Sequence, residues 1–184
     1  MNRALPIAVA AALALPVLAL AAMVANQERL LAGATTLTVA LRGYDPRDLL
    51  QGHYILAQLD WDWERAPDSP NTYQGIDGAA CVLTVAPKPR LRFLAGWKTG
   101  DPVEPDCKLV MPGRGWSGSP PLFMPASLGS DRVGTRFYIP EERASELDTM
   151  VRERPGALTA DIAVRGDGSA TIAALRVDGK AIGR

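Results

Sequence analysis

Ile55-Leu56-Ala57-Gln58-Leu59-Asp60-Trp61-Asp62-Trp63-Glu64 decides the fold class. Ile55, Ala57, Leu59, Trp61 and Trp63 share one parity, while Gln58, Asp60, Asp62 and Glu64 share the other. A period of two marks a half-buried strand, because successive side chains leave opposite faces of the backbone. Working outward, residues 35–41 are rich in Thr, Val and Leu and form another strand. Residues 80–86 and 91–97 flank Pro87-Lys88-Pro89 as a hairpin, and 108–111 and 136–139 are short strands. Residues 158–164 alternate and return through Gly166-Asp167-Gly168 to 170–177. In that return strand Ala170 and Ile172 share one parity, but Leu175 and Val177 take the other. One extra residue near Ala173-Ala174, a β-bulge, reconciles them.

Between the strands, residues 65–78 are polar and broken by Pro67, Pro70 and Gly75, so they form an exposed loop. Residues 113–134, with Gly113-Arg114-Gly115 and little periodicity, read as a long loop lying across the domain. One soluble helix follows Pro140, with Glu141 and Glu142 at the positive end of its dipole. Ala144, Leu147, Met150 and Val151 fall on one face, and Pro155-Gly156 stops it. The expected class is mainly β (α+β). It is a compact antiparallel β domain with one amphipathic helix near the C-terminus, preceded by an N-terminal transmembrane or signal helix. Residues 1–26 form the leader and 27–184 the domain.

The segment from Ala4 to Ala25 carries no charge and follows Arg3. As a helix it reaches the roughly 20 residues needed to cross a hydrocarbon core, so the membrane itself is an expected partner. A retained anchor and a cleaved signal peptide both fit, since small residues around Ala19-Leu20-Ala21 suit cleavage. The basic flank favours a cytoplasmic N-terminus, which places the domain on the extracytoplasmic side of the membrane on a single-pass anchor. Export gives Cys81 and Cys107, the only two cysteines, a meaning: one disulfide in an oxidising compartment, the alternative being two separate buried thiols. Charge is balanced at 20 basic and 20 acidic residues in a chain of 184, with no Lys/Arg run, which excludes electrostatic capture of nucleic acid.

Candidate chemistry is sparse. His53 is the only histidine, so it cannot build a multi-His metal site. Asp60, Asp62 and Glu64 form a carboxylate ladder about 7 Å apart, a solvated strand face more readily than a calcium loop. No catalytic, cofactor-binding or metal-binding residue is assigned, and no cofactor is expected. Trp61 and Trp63 follow the apolar parity and belong to the core. Trp116, in a Gly/Ser/Pro-rich stretch, is the expected exposed anchor for a partner. Asp45-Pro46-Arg47-Asp48 makes a turn whose Asp side chain caps backbone donors and whose Arg pairs with a carboxylate.

Tyr44-Asp45-Pro46-Arg47-Asp48-Leu49-Leu50-Gln51-Gly52-His53-Tyr54 resembles the signature of the GDYXXLXY family of bacterial membrane-anchored proteins. Gly52 and Tyr54 fit the family's name, whereas His53 replaces Asp, Ala57 replaces Leu and Leu59 replaces the second Tyr. Arg136-Phe137-Tyr138-Ile139-Pro140-Glu141 resembles the aromatic-hydrophobic-Pro-Glu run that follows in the family. The resemblance implies Asp45, Pro46, Arg47, Asp48, Gly52, His53 and Tyr54 as structural or interaction residues. It also implies a multi-spanning membrane protein as an associate, and it carries no activity. The expectation is a non-catalytic binding or assembly module for another envelope protein. The alternative is a membrane-anchored hydrolase with a signal-peptidase-like β fold, which needs an activated Ser with a Lys base.

Overall fold

The computed structural model describes residues 4–43, 54–69, 73–119, 121–128, 135–138, 147, 149–150, 153–154 and 156–183. The chain divides into two compact units, Met1–Ala34 and Thr35–Arg184.

The first unit is one helix, α1 (Ala4–Ala32). At 1.5 Å per residue its 29 residues extend about 43 Å, more than a hydrocarbon core requires. It runs on past the uncharged segment to Ala32. Leu13, Leu15, Leu18 and Leu20 are each at least 64% exposed, so the helix carries an apolar surface on every side. Residues Ala12–Ala32 are long and apolar enough to span a membrane. Pro16 lies inside the helix and leaves one backbone carbonyl unbonded, a defect that membrane helices tolerate.

The second unit is β-rich. Its described strands are β1 (Thr35–Gly43), β2 (Tyr54–Asp60), β3 (Asp62–Arg65), β4 (Ile76–Thr84), β5 (Arg90–Ala95), β6 (Leu109–Trp116), β7 (Leu122–Pro125), β8 (Thr135–Tyr138), β9 (Leu158–Val164), β10 (Ala170–Val177) and β11 (Lys180–Gly183). They make a six-stranded sheet, β11-β10-β9-β1-β2-β8, and a five-stranded sheet, β3-β5-β4-β6-β7. One apolar core joins them, with Leu37, Val39 and Ile162 from the first sheet meeting Val82, Leu91 and Met111 from the second.

The alternating stretch that opens the sequence is divided between the sheets. Its period of two is kept across Trp61, but β2 pairs with β1 and β8 whereas β3 pairs with β5. Trp61, at the break, is 5% exposed and donates from Nε1 to the Phe123 carbonyl at 3.0 Å. Phe123 also makes T-shaped ring contacts with Trp61, Trp63 and Phe93 at centroid distances of 6.4, 6.2 and 6.1 Å. The expectation of one continuous strand therefore needs correction. Parity alone cannot see a change of sheet, because the same parity faces the shared core before and after Trp61. The fold is also not wholly antiparallel, since β3 runs parallel to β5.

The bulge in β10 is present: the register against β9 shifts between Ile172 and Ala174, leaving Ala173 as the additional residue. The β4–β5 hairpin forms, but β4 begins at Ile76, inside the stretch read as a loop, and β5 ends at Ala95, before Trp97. The long loop expected over 113–134 does not: Gly113-Arg114-Gly115-Trp116 lie within β6, and β7 pairs against them. Glycine is what permits this. A Cβ on Gly113 would lie 2.3 Å from the Met124 carbonyl oxygen, and one on Gly115 would lie 2.8 Å from the Phe93 ring. The complete helix among the described residues is the N-terminal one. The amphipathic helix expected near the C-terminus is not among the described elements. Most of residues 140–154 lie outside the described residues, and Leu147, Thr149, Met150 and Glu153 alone are helical there. Leu147 and Met150 are buried in the core.

Candidate functional site

Among the described residues, the densest polar constellation is built on the face of the five-stranded sheet opposite its core. Leu91 and Phe93 point inward, so the intervening Arg92 points out. The β4–β5 register sets Arg92 directly opposite Cys81, and the β4–β6 register sets Val110 on the other side of Cys81. Cys81 is bonded to Cys107 in a disulfide with a Cα–Cα distance of 5.4 Å. The bond pins the loop between β5 and β6 onto the sheet.

Arg92 anchors the same loop electrostatically. Its guanidinium contacts Glu64 of β3 at 2.6 Å and Asp106 at 3.0 Å, and it also bonds Glu104. The hydrogen bond to Glu64, followed by those from Asp106 and the charge of Glu104, raises the Arg92 pKa above its ordinary value. Three carboxylates occupy this guanidinium, so it acts as a clamp and not as an anion receptor.

Beside the clamp lies an open cleft of about 730 Å³, lined by Arg65, Ala66, Asp68, Phe93, Leu94, Ala95, Gly96, Trp97, Asp101, Pro102 and Glu104. A smaller recess of about 310 Å³ between Glu64, Arg65, Arg92 and Glu104 adjoins it. The loop is ordered by its own bonds. Asp101 Oδ2 accepts the Lys98 N–H at 2.7 Å, and the Cys107 N–H donates to the Glu104 carbonyl at 3.0 Å.

The sites expected from sequence fall elsewhere. Asp45, Pro46, Arg47, Asp48, Gly52 and His53 lie outside the described residues. Tyr54 begins β2, paired with Tyr138 of β8. Trp116 is not an exposed anchor. It is 4% exposed, packed where Gly75 makes room for it, and a Cβ on Gly75 would lie 2.6 Å from its indole ring. The carboxylate ladder is dispersed by the change of sheet: Asp60 pairs with Arg42 at 2.9 Å in one sheet and Glu64 with Arg92 in the other. The sulfurs of Cys81 and Cys107 near Asp106 are consumed by their own bond, so that trio offers a metal no thiolate. Ser117 Oγ donates to the Ser69 carbonyl at 2.9 Å, and Lys88, Lys98, Lys108 and Lys180 are all exposed. None of these four lysines has the desolvated setting a hydrolase base needs.

Sequence reading missed Arg92. The signal was available in the alternation of Arg90-Leu91-Arg92-Phe93 and in Glu104 and Asp106 standing just before Cys107. A disulfide to β4 necessarily carries those two acids to the outward face of the neighbouring strand.

The family model for GDYXXLXY proteins matches residues 16–175. The chain belongs to the GDYXXLXY protein family. No curated protein and no solved structure matches it significantly. The family match spans the second half of α1, the whole five-stranded sheet with the Arg92 clamp, and the six-stranded sheet as far as Leu175, just past the bulge of β10. In this GDYXXLXY protein the loop between β5 and β6 is thus fastened twice, covalently at Cys107 and ionically at Glu104 and Asp106.

Proposed function

We propose that this GDYXXLXY protein is a single-pass membrane-anchored module that binds or assembles another protein of the bacterial envelope and performs no chemistry of its own. The observation that carries the reading is the pairing of two features in one chain. One is a helix whose apolar surface is exposed on every side and is long enough to span a bilayer. The other is a β unit closed by a disulfide. The first requires a non-aqueous setting. The second is stable on the oxidising side of a membrane and is reduced in cytosol. Arg3 before α1 supports a cytoplasmic N-terminus and an extracytoplasmic β unit. Arg92 and Arg114 on the outward sheet face are each tied to carboxylates, which suits a rigid binding surface better than a reaction centre.

Topology is tested with reporters fused after Arg184. An alkaline phosphatase fusion is expected to be active and a green fluorescent protein fusion dark, and the reverse pair defeats the placement. Association is tested by photo-crosslinking in native membranes from probes placed on the outward face of the β unit. One multi-spanning partner crosslinked at several of these probes supports the module. An absence of crosslinked protein at every probe overturns it.

A further inference from the structure

Resting on the binding-module reading, we infer that the cleft beside Trp97 is the partner site and that its occupant is a basic segment of another protein. A Lys or Arg side chain lies against the indole, with its charge facing Asp68 and Asp101.

Size comes first. At about 730 Å³ the cleft falls within the range of sites that hold a ligand, and it is open enough to admit a chain segment. Its walls combine Trp97 and Pro102 with charged groups, so the fitting ligand has both an aliphatic stem and a charge. The sign of that charge follows from the lining, where Glu104 is already held by Arg92 and Asp68 and Asp101 outnumber the single guanidinium of Arg65. Asp68 makes no ion pair with a described residue, and only one oxygen of Asp101 is used, by the Lys98 N–H. A carboxylate so engaged keeps lone pairs for a second donor. An anionic segment is repelled. A cation on a flexible apolar stem gains both the acids and the π-face of the indole.

The loop that forms one wall is held in advance by the Cys81–Cys107 bond and by Arg92, so closing on a ligand orders little further chain. Arg92 also explains why the cleft is not simply an acidic patch. It neutralises Glu64, Glu104 and Asp106 and leaves Asp68 and Asp101 facing outward at the cleft.

The test uses the full chain in detergent micelles, labelled with nitrogen-15, and three probes. These are the capped peptide Ala-Lys-Leu-Arg-Ala, its counterpart Ala-Glu-Leu-Glu-Ala, and spermidine. The basic peptide is expected to shift the Trp97 indole and the amides of 65–68 and 93–104 in a saturable way. The Asp68→Asn/Asp101→Asn double variant is expected to lower its affinity by about tenfold. Asn keeps the shape of both side chains and still accepts the Lys98 N–H, so an unchanged wild-type spectrum elsewhere certifies the fold. Shifts mapping outside the cleft, no shift at millimolar peptide, or equal binding by the double variant overturn the assignment. Equal binding of the acidic peptide or of spermidine does so too. In native membranes, a partner crosslinked equally by the double variant removes the cleft but keeps the module. An absence of any partner removes the module itself.

Discussion

The Trp61 indole donates its N–H to the Phe123 carbonyl across 3.0 Å, joining the turn between the two sheets to β7 at the far edge of the second. Trp61→Phe keeps an aromatic ring in place but leaves that buried carbonyl without its donor. The substitution is expected to destabilise the β unit by about 1–3 kcal/mol. Urea denaturation of both proteins measures it, and an unchanged midpoint contradicts the bond's role.

The Cys81–Cys107 bond closes a loop across a sequence separation of 26. Replacing both cysteines with serine, or adding reductant, is expected to cost about 3–4 kcal/mol in the chain-entropy account. The loss should appear together with faster hydrogen exchange over residues 97–107, the stretch the bond fastens.

Gly113→Ala forces a methyl toward the Met124 carbonyl oxygen, whereas Gly166→Ala meets nothing within 4 Å. The first is expected to cost about 1–3 kcal/mol through overpacking, the second to stay within about 0.5 kcal/mol of wild type. Thermal melts of the pair separate the two outcomes.

Trp116 is a core residue, 4% exposed. Trp116→Ala is therefore expected to lower stability by about 3–5 kcal/mol. A variant that kept its stability and lost only an interaction partner would restore the exposed-anchor role.

The Asp167 carboxylate accepts from Ser169 Oγ at 2.6 Å and from the Ser169 N–H at 2.8 Å, which lowers its pKa. A lowered folded value contributes stability above the unfolded value near about 3.9, and that contribution fades as pH falls through the folded value. Ser169→Ala should raise the Asp167 titration midpoint toward the ordinary value, read by carbon-13 NMR of the carboxyl group.

Local pattern revealed what depends on local pattern. Alternation located β9 and β10, the Pro87-Lys88-Pro89 turn located β4 and β5 on its two sides, the parity break of Leu175 and Val177 located the bulge, and the uncharged run located α1. Pairing between distant segments was not legible. Nothing near Trp61 announces that the chain leaves one sheet for another, because the same parity serves both. Gly113 and Gly115 looked like loop residues because glycine is scarce in strands. They occur there because Phe123, Phe93 and Met124 approach too closely for any Cβ. The Arg92 clamp is the clearest case. Its acids come from β3 and from the loop beside Cys107, and only the fold brings them to one guanidinium.

The irregularity at Ala173 has an implication for chain length. Excising this one residue leaves Ile172 against Ile162 and Ala174 against Asp161, so Ala170, Ile172, Leu175 and Val177 all still face inward. Excising Thr171 instead moves Ala170 off the inward face. Within β10, Ala173 is thus the place where a natural or engineered indel leaves the inward-facing set intact, at the expense of the extra twist the bulge provides.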